Sequence, residues 1–373
     1  MLSAHLMRFA ALLLPVLALA AEPRFSSLPE LPPGPGQTRQ AGQAAPFAGV
    51  HGDALIVAGG ANFPHAMPWD GGAKVWWDEV FVLERGADAW RTGKNLKLPR
   101  PLGYGFSFST PEGVVCVGGC DATQCYREVF LLAWDARRTE LTTTALPPLP
   151  APLAFMAGAQ LGSVIFVLGG QHDMKPGAPT RSFFALDLAK RGRTGDFRWE
   201  ELPAWPGPAR IVPVAAGLGG KVFLYSGREP RPGRAAHILA DAFAYDPAVR
   251  AWRAVAAPPR AVMAAAASVV GGEIWILGGD DGKIFAQLEA FDLGVSSPAV
   301  AKRGILETHP GFARDILAYD PRRDAWRQVA LAPEPLPVTT IAVPWGGAII
   351  LPTGEVRPGV RTTAVLRVAP AAR

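Results

Sequence analysis

Residues 164–170 of the chain read VIFVLGG, a short apolar run that ends in two glycines. A run of this kind occurs six times, at gaps of about 50 to 60 residues with one longer gap before the last copy. Four copies end in Gly-Gly, and the other two end in Ser-Gly and Thr-Gly. In chain order the copies are Leu55–Gly60, Val114–Gly119, Val164–Gly170, Val222–Gly227, Ile274–Gly279 and Ala348–Gly354. This self-similarity predicts six copies of one structural unit.

The residues around each run indicate what the unit is. A polar loop follows the glycines, then a second apolar run that often ends in Asp, and then a Trp after a turn. Such runs, separated by Gly- and Pro-rich turns, are typical of short strands buried on both faces. The spacing is near the ~50-residue period of kelch repeats. We therefore predict an all-β fold, a six-bladed kelch-type β-propeller formed by residues 22–373 as a single domain, with four repeated tryptophans in its core: Trp90, Trp199, Trp252 and Trp326.

The two ends of the chain predict how the ring closes. The last copy is followed by a second strand at Thr362–Val368, but no Trp strand follows it. Near the N-terminus, Phe25–Pro29 resembles the Trp strand at Trp199–Pro203. We expect the N-terminal strand to complete the last blade, which would remove the exposed edges of an open sheet.

The first 21 residues have the pattern of a secretory signal peptide. Arg8 supplies a positive charge, Phe9–Leu19 is a short apolar run, and Ala18–Ala20 reads as a small-x-small cleavage site. The run is too short to span a bilayer, and no later stretch reaches about 18 apolar residues. These features predict a periplasmic or secreted protein with no membrane attachment after cleavage.

Composition narrows the possible partners. The net charge is +5, and the basic residues are spread along the chain without the block that a nucleic-acid surface usually shows. No zinc-finger spacing, calcium loop, phosphate loop or Gly-x-Ser-x-Gly motif is present, so we predict no metal and no cofactor. Cys116 lies in an apolar run, whereas an oxidising compartment would allow Cys120 and Cys125 to form a disulfide. The sequence leaves that bond and the oligomeric state open.

Propeller topology places the loops after the glycines on one face, around the central channel. Glu355 follows the last Thr-Gly directly, and the turn at Pro358–Gly359 can bring Arg361 back beside it. A carboxylate can accept a hydroxyl proton, and an arginine can hold a carboxylate in a two-pronged hydrogen bond. Loop residues on this face are the first place to look for function.

Four segments carry a resemblance to a known family: Gly354–Thr362, Gly59–Pro64, Tyr104–Ser107 and Gly278–Phe285. The first is similar to a Gly-Glu-x-x-Pro-Gly-x-Arg-Thr loop of the sialic-acid mutarotases, or N-acetylneuraminate epimerases. Because the Glu-containing blade is last here, the chain looks like a cyclically permuted relative of that family. A closed ring tolerates such a permutation, since each blade contacts only its neighbours.

The resemblance implies an enzyme that interconverts the α and β anomers of N-acetylneuraminate, with a small sugar acid as its substrate. It implies Glu355 and Arg361 as the catalytic pair. It also implies that Arg210 lines the channel, and Asn62 and Tyr104 lie where they could bind sugar hydroxyls. Two alternatives stay open: an exported propeller that binds or isomerises a different acidic sugar, and a non-enzymatic kelch module that binds a protein. The segment between Phe291 and Asp315 is a candidate lid.

The export prediction has a direct test. The small residues at Ala18–Ala20 favour cleavage near Ala20 or Ala21, so N-terminal sequencing of exported protein should begin within a few residues of Glu22. Recovery of the uncut chain from the cytoplasm would contradict it.

Overall fold

The computed structural model describes residues 22–175, 178–193, 195–292 and 299–371. Six antiparallel sheets form the blades of a β-propeller, as predicted, and the strands follow one another outward from the central channel. Blade 2 consists of Phe106–Thr110, Gly113–Val117, Val129–Asp135 and Glu140–Leu146. Blade 3 consists of Ala157–Leu161, Val164–Leu168, Phe183–Asp187 and Glu200–Glu201. Blade 4 consists of Val214–Leu218, Lys221–Arg231, Arg234–Asp246 and Ala251–Ala254. Blade 5 consists of Ala266–Val270, Glu273–Leu277, Asp315–Asp320 and Ala325–Leu331.

Blades 1 and 6 meet where the ring closes. Blade 1 has the three strands Phe47–His51, Ala54–Ala58 and Val80–Glu84. Blade 6 has the strands Val343–Trp345, Ala348–Pro352, Val365–Ala369 and, from the other end of the chain, Arg24–Leu28. Phe25 pairs with Val368 and Leu28 pairs with Val365, so the predicted closure by the N-terminal strand is confirmed.

Six shorter features of the described residues lie outside the blades. Two-stranded pairs are formed by Ala61–Asn62 with Val75–Trp76 and by Glu355–Arg357 with Val360–Arg361. Single 3₁₀ turns lie at Pro68–Asp70 and Leu188–Lys190. Helix α1 spans Lys283–Asp292 and ends where the candidate lid segment begins, and helix α2 (Ala299–Thr308) lies within that segment. Neither these helices nor any other in the described residues is long and apolar enough to cross a bilayer.

The core lies between the blades. Every residue of Ala54–Ala58, Gly113–Val117 and Ala348–Pro352 is buried, because the second strand of each blade is covered on both faces by its neighbours. This explains why the repeated runs are apolar throughout rather than alternating. Burying a Val, Leu or Ile side chain contributes about 1.5–3 kcal/mol, so these strands supply much of the stability.

The repeated tryptophans join consecutive blades, as well as filling space. Each indole Nε1 donates to a backbone carbonyl in the segment that connects the preceding blade to the blade of the tryptophan itself. The pairs are Trp90 to Pro29 (2.8 Å), Trp199 to Pro147 (2.8 Å), Trp252 to Pro203 (2.7 Å) and Trp326 to Ala256 (2.8 Å). Trp90 and Trp199 are buried, in agreement with a core role.

A closed ring of backbone hydrogen bonds surrounds one end of the channel. Six residues, one just before the innermost strand of each blade, each donate their N–H to the carbonyl of the equivalent residue in the neighbouring blade at 2.6–3.0 Å. All six are non-glycine residues with positive φ between 47° and 59°. We call this set the backbone ring: Ala45, Tyr104, Phe155, Val212, Ala264 and Thr339.

The glycines allow neighbouring blades to approach closely. A Cβ at Gly59 would lie 2.2 Å from the carbonyl oxygen of Leu102, in the segment that leads into the next blade. In the two repeats that end in Ser-Gly and Thr-Gly, a hydroxyl takes the place of the first glycine and forms a hydrogen bond to the segment that leads into the next blade. The Ser226 hydroxyl accepts from Val262 N (2.9 Å), and the Thr353 hydroxyl accepts from Gln43 N (2.7 Å).

The structure does not contain the disulfide that the sequence left open between Cys120 and Cys125. Cys116, Cys120 and Cys125 are all buried free thiols. Cys120 and Cys125 are paired across an isolated bridge, but Sγ of Cys125 lies 3.9 Å from Sδ of Met174 instead of being bonded to Cys120. The signal peptide predicted at residues 1–21 lies outside the described residues.

Removal of residues 22–31 tests the closure. It would expose the edge strand Val365–Ala369 and remove Leu31, which is 2% exposed, together with the carbonyl that accepts from Trp90. Since losing one buried Leu costs about 2–5 kcal/mol, we expect the midpoint of thermal unfolding to fall by roughly 10 °C. The control S27A changes only an exposed side chain of the same strand and should melt like the parent. Unchanged melting of the deletion variant would show that the strand does not close the ring.

Candidate active site

Six equivalent residues surround the mouth of the channel, at the end where the backbone ring lies. Each follows the last glycine of its repeat directly and forms an isolated bridge with the segment that leads into the innermost strand of the same blade. We call this set the mouth ring, in blade order: Ala61, Cys120, Gln171, Arg228, Asp280 and Glu355. Charged residues thus occupy three successive blades, and small apolar residues occupy blades 1 and 2.

Glu355 and Arg361 are brought together by the last small hairpin. The two residues are directly opposite each other across the pair Glu355–Arg357 and Val360–Arg361. Oε1 of Glu355 accepts a hydrogen bond from Gly359 N at 2.7 Å, and its Oε2 lies 3.6 Å from Nη2 of Arg361. The predicted turn at Pro358–Gly359 therefore forms, and it also supplies a donor to the carboxylate.

Arg361 has the electrostatic signature of a ligand-binding group. Its side chain is only 3% exposed, and its guanidinium lies 4.7 Å from the centroid of the Phe63 ring. Nε and Nη1 have no hydrogen-bond partner in the described residues. A buried donor without a partner costs about 1–3 kcal/mol, and more when it is charged. An anionic or hydrogen-bond-accepting ligand at this position would remove that cost.

A second cation, Lys74, also lies near the Phe63 ring. Its Nζ is 5.9 Å from the Phe63 centroid, 5.6 Å from that of Trp76 and 5.2 Å from that of Tyr104, and it donates to the Tyr104 hydroxyl at 3.2 Å. Cations are attracted to the faces of aromatic rings. Tyr104 is also a member of the backbone ring and is 6% exposed, so the structure places it at the mouth beside a cation.

Asn62 lies in the same region but is occupied by structural hydrogen bonds. It is 2% exposed, its Nδ2 donates to Gly42 O at 2.7 Å, and its Oδ1 accepts from Trp77 Nε1 at 2.8 Å. Gly42 packs so closely that a Cβ there would lie 2.2 Å from Thr362 O, next to Arg361. Asn62 therefore fixes the backbone behind the hairpin, and this structure leaves little of its side chain for a sugar hydroxyl.

Arg210 is not in the site, which corrects its expected position on the channel lining. The side chain is fully buried and forms a two-pronged ion pair with Asp241, at 2.5 and 2.8 Å. It also donates to the carbonyls of Ser226 (2.9 Å) and Pro208 (3.2 Å), and it lies against the ring of Trp205. Its donors are used up inside the protein, so the role of Arg210 is structural.

Blades 4 and 5 bring further charge to the mouth. The Arg228 guanidinium lies 4.2 Å from the centroid of Phe285 on α1, and its Nη1 is 3.8 Å from Oε1 of Glu289. Oδ1 of Asp280 accepts from Gly282 N at 2.8 Å. Burial raises the pKa of Asp280 above its ordinary value, and the nearby negative charges of Asp281 and Glu355 add to this.

The helical segment forms a wall beside the mouth. Nη1 of Arg357 in the last hairpin donates to Glu307 O of α2 at 2.6 Å. Nη1 of Arg303 lies 3.0 Å from Oδ1 of Asp70 in the blade 1 loop. These contacts connect α2 to blades 1 and 6, so the insertion encloses the mouth on one side.

His309 is a buried histidine. It is 9% exposed, packs against Phe312, and accepts a hydrogen bond at Nδ1 from Gly311 N (3.0 Å). Burial and the neighbouring Arg357 cation lower the pKa of His309, so its ring is neutral near pH 7. His65 and His172 are exposed.

The channel itself contains a separate, mostly apolar cavity of about 380 Å³. The innermost strands and the whole backbone ring line it, with Ala, Gly and Phe side chains prominent. Glu355, Arg361 and Asp280 are not among its described lining residues. The groups suited to chemistry therefore lie around the mouth, on the other side of the backbone ring.

The family is decided by the match over nearly the whole chain. A profile of the family described as N-acetylneuraminate epimerase matches residues 18–141 and 146–371. The chain belongs to the N-acetylneuraminate epimerase family. The resemblance predicted from the four loop segments is thereby confirmed, whereas the cyclic permutation stays a prediction.

Individual members of the N-acetylneuraminate epimerase family match over shorter stretches. The N-acetylneuraminate epimerase of Brucella melitensis is 43% identical over 118 residues, which cover 29% of this chain and 29% of that protein. The protein of the same name from Haemophilus influenzae is 25% identical over 225 residues, which cover 58% of this chain and 57% of that protein. Each match therefore spans less than two thirds of the relative's length. The solved structure of YjhT shares the fold, with a TM-score of 0.64 at 14% identity over 91% of this chain and 97% of that chain.

Replacing each of the two buried arginines should change the stability by different amounts. R210M would leave Asp241 without its partner inside the protein, which should lower the free energy of unfolding by about 3 kcal/mol. R361M removes a buried cation whose donors are largely unpartnered, so it should change that free energy by no more than about 1 kcal/mol. Urea denaturation of both variants measures the difference. Equal destabilisation would show that Arg361, like Arg210, serves the fold.

Proposed function

We propose that the chain is an exported mutarotase that interconverts the α and β anomers of N-acetylneuraminate. In this proposal Glu355 accepts the proton of the anomeric hydroxyl, and Arg361 binds the substrate carboxylate. The observation that carries the proposal is the buried Arg361 guanidinium, with two unpartnered nitrogens, 3.6 Å from a carboxylate on the same hairpin.

The adjacency of the two groups fits this substrate class in particular. In a sialic acid the carboxylate and the anomeric hydroxyl are attached to the same carbon. A guanidinium that holds the carboxylate therefore brings the hydroxyl next to a base that lies beside the guanidinium. A two-pronged hydrogen bond that uses Nη2 together with either Nε or Nη1 would also fix the orientation of that carbon.

The reaction requires proton transfers at two oxygens. Glu355 takes the proton of the anomeric hydroxyl as the bond between the anomeric carbon and the ring oxygen breaks, and the ring oxygen gains a proton from an acid. The open-chain ketone then turns its other carbonyl face to the ring-forming hydroxyl, and the reverse transfers close the ring as the other anomer.

Three further observations support the proposal. Lys74 and Arg361 both lie near the Phe63 ring, which gives this part of the mouth a positive potential suited to an anionic sugar. The relatives from Brucella melitensis and Haemophilus influenzae are named N-acetylneuraminate epimerases. The signal-like residues 1–21 support an exported location.

Anomer exchange followed by ¹H NMR from the pure α anomer tests the proposal. E355Q keeps the shape of the side chain but removes the proton acceptor, so the rate above spontaneous mutarotation should fall about 10²–10⁴-fold while the sugar still binds. R361A should chiefly weaken binding, and R361K should restore only part of it, because an ammonium lacks the planar two-pronged geometry.

The variant E307Q is the matched control, since it removes an exposed carboxylate of the same face and should keep the parent rate. If the parent chain gives only the spontaneous rate, N-acetylneuraminate is not its substrate. If E355Q exchanges anomers as fast as the parent, Glu355 is not the base.

A further inference from the structure

Asp280 occupies the mouth-ring position next to Glu355. The two residues form equivalent backbone bridges on neighbouring blades, Asp280 on blade 5 and Glu355 on blade 6. Those blades are joined at the mouth by the hydrogen bond from Thr339 N to Ala264 O (2.9 Å) in the backbone ring. The two carboxyl groups are therefore held at adjacent points of one rigid circle.

The surroundings of the two carboxyl groups differ. Glu355 faces the Gly359 N–H and the Arg361 guanidinium. Asp280 accepts one backbone hydrogen bond from Gly282 and has no ion-pair partner within 4 Å in the described part of the chain. Its second oxygen is thus available for a proton.

The charges around Asp280 act in both directions, and burial decides the balance. The negative charges of Asp281 and Glu355 disfavour ionisation of Asp280, whereas the Arg228 cation and the Gly282 N–H favour it. The net result is a raised pKa, with burial as the largest cause. Pairs of carboxyl groups whose surroundings differ in this way divide the acid and base roles in many enzymes.

We propose that Asp280 is the catalytic acid that protonates the ring oxygen while Glu355 accepts the anomeric proton. This inference rests on the proposed mutarotase function and adds the acid that the reaction needs. It also assigns to blade 5 a residue that contacts the substrate.

The proton balance closes over one cycle. In ring opening, the anomeric hydroxyl proton passes to Glu355, the bond from the anomeric carbon to the ring oxygen breaks, and the Asp280 proton passes to that oxygen. In ring closure, the same hydroxyl attacks the other face of the ketone, its proton returns to Asp280, and the new anomeric oxygen takes the proton from Glu355. Both residues end in their starting states, so no further reactant is needed.

The variant D280N tests the inference, because Asn can still accept from Gly282 N but cannot give up a proton. Above the spontaneous rate, anomer exchange should fall about 10²–10⁴-fold, with binding of N-acetylneuraminate and the melting temperature retained. The parent rate should also decline as pH rises through the pKa of Asp280, since the acid is then deprotonated. In D280N that alkaline decline should disappear from whatever rate remains.

The variant D281N is the matched control. Asp281 is the adjacent carboxylate, and its Oδ2 lies 2.9 Å from Lys283 Nζ. Because its charge helps to raise the pKa of Asp280, D281N should keep the parent rate on the acid side of the alkaline decline and move that decline to lower pH without abolishing it. An active parent with an equally active D280N would overturn the acid role, and so would an equal loss in D281N. A parent that never exceeds the spontaneous rate would instead refute the mutarotase function itself, and the acid role with it.

Discussion

Six backbone hydrogen bonds, running in one direction around the channel, are the constraint on which the rest of the molecule depends. Each connects two blades, and each is made by a residue in the left-handed conformation that is disfavoured for side chains with a Cβ. Even Val212, a β-branched residue, adopts φ of 47° there. Such conformations cost of order 1–3 kcal/mol each and persist where the surrounding structure enforces them. Because this ring is closed, the backbone of the neighbouring mouth ring is held in place as well. The chemical character of the mouth is then set by the type of residue that follows the last glycine in each blade.

The joint between the two ends of the chain lies next to the candidate catalytic hairpin. Gly354 N donates to Gln43 O at 2.8 Å, just as Gly60 N donates to Leu102 O at 2.8 Å between blades 1 and 2. The Thr353 hydroxyl, which is fully buried, also accepts from Gln43 N and so replaces the close glycine contact. Glu355 follows one residue later. Closing the ring and positioning the carboxylate therefore use the same few backbone bonds, so a loosened joint would disturb the site before it unfolded a blade.

The sequence was enough to predict the blades, the closure and the Glu355–Arg361 contact, because each depends on a local pattern or a single turn. It failed for Arg210, since an arginine two residues before the backbone ring looks the same whether it points into the channel or pairs with a distant partner such as Asp241. Lys74 was missed for a similar reason: its aromatic neighbours are gathered from separate parts of blades 1 and 2. The role of Asp280 did have a sequence signal. Reading only the residue after the last glycine of each repeat would have placed it beside Glu355.

The mouth ring is divided into two unlike halves, and this division bears on how a sugar would be oriented. Blades 1 and 2 contribute Ala61 and Cys120, which pack with Tyr104 in one apolar cluster. Blades 4 to 6 contribute a cation and two carboxyl groups. The proposed substrate, N-acetylneuraminate, is similarly two-sided, because its anomeric carbon carries both the carboxylate and the hydroxyl that gives up its proton on ring opening. Placing that carbon against blades 5 and 6 satisfies the unpartnered donors of Arg361, whereas the reverse orientation leaves a buried cation unpaired and puts a carboxylate on an apolar surface. The free-energy difference between the two orientations arises from the cost of desolvating the Arg361 cation and the substrate carboxylate without pairing them.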